Sequence, residues 1–514
     1  MGNVKDHIKS NHLKLIILSA IIGILAGLVS VMYRYALTYA EEISNIMYDT
    51  IRNNLVLMPI LFILLCVLGI LVGMLVKDYS LISGSGIPQL KAEITGYLKN
   101  NWLSTLIAKA IGGIVSIIAG LSLGREGPSI QLAASVANGV SKHIKTNETE
   151  KRILLASGAS AGLASAFNAP LAGVMFALEE IFKYFSTKVI LSTMVAAICG
   201  DFISKIFFGK GHVFNFNIVD SIPINYYWIL IIMGLIIGIL GVTYNIILIK
   251  TQAIYKLIYN KLGIYKMIIP FIIAGILGII FPIVLGSGHH IITDLNLEVP
   301  LMSLIIILVI KFLFSMISFG SGAPGGIFFP LLILGAIIGS IFAKVFIPLF
   351  NLNELLFYNF IIISMSAYFT VIVRAPMTGI ILMIEMTGSL EQLLPLILTS
   401  TIAYIVAEKL DNEPIYETLL GNLLIDKGVH TESMKRNKIL LEYVVNNNSK
   451  IENMKLKDIE LNEKCLIISI LRRDHNITPN GNTIIKALDQ LTILTSDKYE
   501  IEVREQIEDL ILEI

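Results

Sequence analysis

Most of the chain is a succession of apolar stretches set between short polar or glycine-rich breaks. They run over residues 13–31, 55–76, 102–120, 188–208, 226–249, 267–281, 301–319, 327–350, 360–373 and 393–406. None alternates with a period of two, so membrane β-strands of a porin-like barrel are not indicated. The stretches read as helices. A helix crossing hydrocarbon needs about 20 apolar residues, and several of these are shorter or are interrupted by Gly and Pro. The pattern predicts an all-α polytopic membrane bundle with broken helices. A packed soluble core is the competing reading; the continuity of these segments over roughly 400 residues argues against it. The first stretch is too long, and lacks the small-residue site, for a cleavable signal peptide.

Beyond Gly428 the pattern changes. Residues 440–445, 466–471 and 491–495 alternate and predict strands. Arg473-Asp474-His475-Asn476 and Pro479-Asn480-Gly481-Asn482-Thr483 predict turns, and 501–511 an acidic amphipathic helix. Two domains are therefore expected, at 1–429 and 430–514. Charge agrees with that division: 50 charged residues fall in 1–429, about 12%, and 27 in 430–514, about 32%. The whole chain is 55% hydrophobic and 15% charged, with mean hydropathy +0.77, against about 25% charged in soluble domains. Collagen-like, disordered and disulfide-rich secreted classes are excluded. The net charge of +1 implies no polyanionic partner such as nucleic acid. Cys66, Cys199 and Cys465 lie too far apart in sequence for a disulfide framework or metal motif. His289-His290 reads as a loop pair rather than a metal site. No Walker A or Rossmann context is present. No metal, cofactor or covalent chemistry is expected, and the chain is not read as an enzyme.

Three glycine–proline segments carry the most information. They are Ser83-Gly84-Ser85-Gly86-Ile87-Pro88, Gly124-Arg125-Glu126-Gly127-Pro128 and Gly320-Ser321-Gly322-Ala323-Pro324-Gly325-Gly326-Ile327-Phe328-Phe329-Pro330. Each combines Gly for close backbone approach with Pro suited to a first helical turn. Non-helical backbone survives at membrane depth only inside protein or along a cavity. Free N–H groups at such helix starts attract anions.

These segments also reveal a repeat. Gly84-Ser85-Gly86 recurs as Gly286-Ser287-Gly288, and Gly124-x-x-x-Pro128 spacing recurs at Gly326-Ile327-Phe328-Phe329-Pro330, both 202 residues on. Ala169-Pro170-x-x-Gly173 with Glu179 recurs as Ala375-Pro376-x-x-Gly379 with Glu385, 206 residues on. Halves at about 15–210 and 220–420 follow. Paired halves with broken helices are the pattern of transporters that bind substrate at the midplane.

Helix starts supply spread partial positive charge, which holds an anion without trapping it as a buried Lys or Arg would. Ser85 and Tyr416 are candidate hydroxyl donors; a helix cap for Ser85 and an interfacial aromatic for Tyr416 are the alternatives. Glu126, between two glycines in an apolar context, occupies the kind of site an anion would take. Burial favours its neutral form and nearby N–H groups its charged form, so it is able to change protonation during transport. Arg125 is a structural partner of Glu126 or an attractor at the mouth. Glu179 and Glu180 point about 100° apart on a helix; either is a solvated helix end or a proton relay. Glu180 has Met386 as its counterpart in the second half.

These motifs, Gly-Ser-Gly-Ile-Pro at 84–88, Gly-Arg-Glu-Gly-Pro at 124–128 and Gly-Ile-Phe-x-Pro at 326–330, resemble those of the CLC family of chloride channels and chloride/proton antiporters. The resemblance covers about residues 15–420 and implies inverted repeats. It implies that Ser85 and Tyr416 coordinate chloride through hydroxyls, helped by the backbone N–H groups of Ile327 and Phe328. By the same resemblance, Gly84, Gly86, Gly124, Arg125, Gly127 and Gly326 would line the pathway backbone. Glu126 matches the external gating glutamate and Glu180 the internal proton-transfer glutamate of the antiporters. Ser85 favours chloride where nitrate-preferring relatives tend to carry Pro, and Gln89 replaces a frequent Glu. The implied activity is chloride/proton exchange across the cell membrane. A passive voltage- or pH-gated chloride channel and a ligand sensor acting through the C-terminal domain are the alternatives. Homodimers with one pathway per subunit and cytoplasmic termini are also implied; Lys5, Lys9 and Lys14 agree with a cytoplasmic N-terminus. Residues 430–514 are too short for paired CBS domains. Ile468 to Thr483 resembles the TrkA-C (RCK-C) type instead, with Leu488-Asp489 where Gly-Asp is usual. That implies a regulatory or dimerising cap with an unidentified small ligand.

Overall fold

Helices begin where the glycine–proline punctuation lies: Ile87–Ile94, Glu126–Ile144 and Phe328–Leu349 each start within one of the three segments. The computed structural model describes residues 2–183, 185–214, 216, 221–429, 438–459, 461, 464–473, 475–496 and 499–511. The chain divides into two compact units at Leu423/Leu424.

Unit one is helical. Among the described residues, seven helices are long and apolar enough to cross a membrane. The Leu55–Asp78 span is only 22% buried, whereas Glu354–Val373 is 94% buried, so the first faces lipid and the second is central. Ile60, Ile63 and Val67 form part of the exposed apolar surface. The first helix runs on to Asn53, far beyond the apolar stretch that announces it. Glu126–Ile144 and Glu148–Phe167 are two long helices that the apolar runs pass over. Both are rich in Ala, Ser and Gly and almost wholly enclosed by protein, so they need no lipid-facing side chains. Gly158 and Gly162, four apart, let the second lie directly on Ala133 of the first. Gly335 and Gly339 do the same for Phe328–Leu349 against Phe357–Val373.

The repeat is visible as paired contacts. Gly124 N–H donates to Gly326 O at 2.7 Å and Gly326 N–H returns the bond to Gly124 O at 2.8 Å. Residues at matching positions of the two halves thus meet antiparallel, as an approximate two-fold axis requires. The same axis relates Gly84 N–H to Gly322 O (3.4 Å) and Gly286 N–H to Gly120 O (3.0 Å). It also relates two buried lysines. Lys109 Nζ donates to the carbonyls of Ile82 (2.8 Å) and Gly84 (2.5 Å). Lys311 Nζ donates to those of Val284 (2.9 Å) and Gly286 (3.0 Å). Each lysine Nζ ties down carbonyls that a non-helical turn leaves unpaired. His289 and His290, expected in a loop, instead open the His289–Asp294 helix, because Gly288 takes a left-handed conformation as its cap. The His289 ring stacks on Phe214.

Unit two carries a four-stranded antiparallel sheet, β1 (Lys438–Val444), β2 (Leu466–Arg472), β3 (His475–Ile477) and β4 (Gln490–Ser496), in the order β1-β4-β2-β3. Leu441 sits opposite Ile493, and Ile470 opposite Leu491. Val503, Ile507 and Ile511, one helical face of Glu500–Ile511, complete the core. The expected turn at Arg473–Asn476 is tighter than its sequence suggests: His475 and Asn476 already belong to β3, and Asp474 lies outside the described residues. Leu488 takes φ +66°, the left-handed conformation a glycine would favour. Beside it, buried Asp489 receives Arg472 through two hydrogen bonds, 2.8 Å to Nε and 2.7 Å to a terminal nitrogen.

Candidate functional site

The three glycine–proline segments converge on one place. Besides the Gly124–Gly326 pair, Gly325 N–H donates to Gly84 O at 3.0 Å, joining the first and third segments. Gly127 packs against Ser85 and Gly326. Gly84, Gly86, Gly124, Gly127 and Gly326 are therefore neighbours across some 240 residues of chain.

Ser85 is buried between Gly84 (φ +63°) and Gly86 (φ +89°). Its Oγ accepts the Ile87 N–H at 3.3 Å, which is the cap reading; that bond leaves the O–H free to donate elsewhere. Gln89 Nε2 donates to Ser83 O at 2.8 Å and steadies the turn. A glutamate there would have to be protonated to make the same bond.

Glu126 is the first residue of its helix and is 1% exposed. Its carboxylate faces its own N–H and that of Phe329, the latter an unpaired donor type at the start of Phe328–Leu349. Oε2 has no hydrogen-bond partner among the described residues. Arg125 Nε stands 3.7 Å from Oε1, long for an ion pair. Ile327 and Phe328 lie at the cap and first position of Phe328–Leu349, both buried. The Phe328 ring meets Phe167 at 5.1 Å and Phe369 at 4.6 Å, making a dry aromatic wall.

Tyr416 is fully buried, which excludes an interfacial role, and its hydroxyl has no partner among the described residues. It feels the charges of both Glu180 and Glu126. Its O–H is available to donate.

Glu179 and Glu180 prove to do different work. Glu179 accepts N–H bonds from Met377 (3.2 Å) and Thr378 (2.8 Å), capping the Pro376–Thr387 helix of the other half. Glu385 caps Pro170–Phe176 in return, through Leu171 (3.0 Å) and Ala172 (2.8 Å). Glu180 lies in a single π-helical turn, Ala177–Phe182, a feature frequent at functional sites. It is 2% exposed and bonds Lys91 Nζ at 2.7 Å. Lys91 and Lys109 were not singled out from sequence. The repeat offset points to Lys109, since Lys311 lies 202 residues on in an equally apolar stretch; nothing local marks Lys91.

Among the described residues no cluster of three or more His, Cys, Asp or Glu is placed to hold a metal. Helix-start amides and hydroxyls are groups that can donate to an anion, and a buried carboxylate is a group that can carry a proton.

The chain matches the family described as voltage gated chloride channel over residues 68–408 and the TrkA-C domain over 440–508. It is 33% identical over 423 residues to the H(+)/Cl(-) exchange transporter ClcA of Klebsiella pneumoniae (strain 342), covering 80% of this chain and 89% of that one. A slow cyanobacterial Cl-/H+ antiporter superposes with TM-score 0.77 and 30% identity, over 80% of this chain and 99% of the other. A CLC-type fluoride/proton antiporter shares the fold at TM-score 0.65 and 22% identity, over 79% and 97%. This is a multi-pass membrane protein of the CLC family, with a TrkA-C-like domain at its C-terminal end.

Proposed function

We propose that the protein exchanges chloride for protons across the cell membrane. The observation that carries this reading is the position of Glu126. It is a buried carboxylate facing the same helix-start amides that suit a halide, with one oxygen unpartnered. Two anions cannot share that space without strong repulsion. Chloride entering requires Glu126 to leave or to take up a proton, and that exclusion couples the two ions. Ser85 and Tyr416 hydroxyls donate to the central chloride, together with the amides of Ile327 and Phe328. Glu126 exchanges protons with the outside, and Glu180 delivers them from the inside. The antiporter relatives support this direction of reading.

The N-terminus lies in the cytoplasm, in keeping with Lys5, Lys9 and Lys14 at and before the start of the first span; the C-terminal domain is cytoplasmic too. The working unit is a homodimer with one pathway per subunit, as the family resemblance implies, and the TrkA-C-like domain acts as a regulatory cap for a small ligand. The test is electrical. Reversal potential is measured across a pH gradient at fixed chloride: exchange requires it to move with pH, and a value independent of pH means passive chloride conduction.

A further inference from the structure

Lys91 is a buried ammonium with two carboxylates on it. It lies on Ile87–Ile94, a helix whose residues are all buried and which starts at the Ser85 turn. Nζ bonds Glu180 Oε1 at 2.7 Å and Glu417 Oε1 at 2.6 Å. Glu417 in turn pairs with Lys183. Exposure is graded along this chain: Glu180 is 2% exposed, Lys91 4%, Glu417 31% and Lys183 46%. Among the described residues Lys91 is the hydrogen-bond partner of Glu180, and Glu417 is the carboxylate next outward.

We infer that Lys91 is a proton relay that loads Glu180 from Glu417. With both lysines and both carboxylates ionised the cluster is neutral. A proton bound for Glu180 along this chain has to cross Lys91, its hydrogen-bond partner among the described residues. Lys91 passes its own proton across the 2.7 Å bond. The N–H bond at Nζ breaks as an O–H forms on Glu180, giving a neutral amine and a neutral acid with no change in net charge. Glu417, 31% exposed, then takes a proton from water and hands it to the amine, its new O–H breaking as the N–H at Nζ re-forms; Glu417 is left ionised and the added proton rests on Glu180. Lysine is suited to this because an ammonium can shed its proton, whereas a guanidinium holds its own. Lys183, and Tyr416, the residue before Glu417, are further titratable groups that interact with Glu180. The inference rests on Glu180 being the inner proton carrier.

The test follows chloride and proton movement together in liposomes holding the full chain, for Lys91→Arg, Lys91→Met and Glu180→Gln. Lys91→Arg keeps the charge and removes the labile proton. A relay predicts that both Lys91 variants lose coupled proton transport by about ten-fold or more, below the 10²–10⁴ a positioned proton-transfer group supplies. Monodisperse elution and thermal unfolding in detergent serve as the folding control for the Lys91 variants. Should Lys91→Met not insert, Lys91→Arg alone decides. If Lys91→Arg keeps wild-type coupling while Glu180→Gln loses it, Lys91 is a fixed counter-charge and the relay is overturned. If Glu180→Gln itself stays coupled, the assignment of Glu180 fails, and the relay with it.

Discussion

Ser85 and Gly127 come from different broken helices and leave no room for a methyl group between them. A Cβ on Gly127 would stand 3.0 Å from Ser85 Cβ, 3.0 Å from the Ser85 carbonyl oxygen and 3.3 Å from Gly326 Cα. These neighbours are backbone or short side chain, so little can yield. Gly127→Ala should destabilise the protein by about 1–3 kcal/mol, as overpacking does. It should also slow chloride turnover by displacing the Ser85 turn. Thermal unfolding in detergent and chloride efflux from liposomes measure the two effects; wild-type turnover in the variant would contradict the placement of Ser85.

Tyr416 separates binding from stability. Its buried hydroxyl bonds nothing among the described residues, so Tyr416→Phe removes no protein hydrogen bond. Thermal stability should hold or rise. Chloride affinity should fall about ten- to a hundred-fold, in line with about 1.5–3 kcal/mol for a hydrogen bond to a charged group. Calorimetric titration with chloride checks this. Lower stability with unchanged affinity would mean the hydroxyl serves the fold instead.

Glu179 and Glu385 should behave as twins. Each caps a helix start belonging to the other half, so Glu179→Ala and Glu385→Ala should each cost about 1–2 kcal/mol, the upper range for lost caps. Proton coupling should survive in both. Loss of coupling in Glu179→Ala would place it on the proton path beside Glu180.

In the C-terminal domain Leu488 is 72% exposed yet held at φ +66°. Leu488→Gly relieves a left-handed strain of about 1–2 kcal/mol, less the roughly 0.5–1 kcal/mol of added unfolded-chain freedom. Slower hydrogen exchange in β1 and β4 of the full chain is the expected sign; faster exchange would show that the leucine side chain stabilises the domain.

Much of this architecture was legible because lipid and glycine both leave strong signals. Apolar runs betray lipid-facing spans, and Gly84, Gly124 and Gly326 betray backbone that must approach backbone. Helices sheathed in protein leave no such trace, which is why Glu126–Ile144 and Glu148–Phe167 escape a search for apolar stretches. The repeat offsets anticipate contacts as well as topology: Gly124 meets Gly326, and Glu179 and Glu385 cap across the same axis. Helical geometry alone does not separate Glu179 from Glu180, because a one-residue step changes the face and only packing decides what each face meets; the Met386 counterpart and the family resemblance are what mark Glu180. Lys91 was hidden for a different reason. A lysine amid polar residues such as Gln89 and Glu93 looks solvated until two distant carboxylates, Glu180 and Glu417, are brought onto it.

Coupling depends on one carboxylate and one halide excluding each other from a shared dry site. Purified protein in liposomes, given a chloride gradient and no proton gradient, tests that most directly when both ions are followed together. Wild type should drive protons uphill at the expense of chloride, and Glu126→Ala should pass chloride while moving no protons. Uphill proton movement that persists in Glu126→Ala would contradict the account.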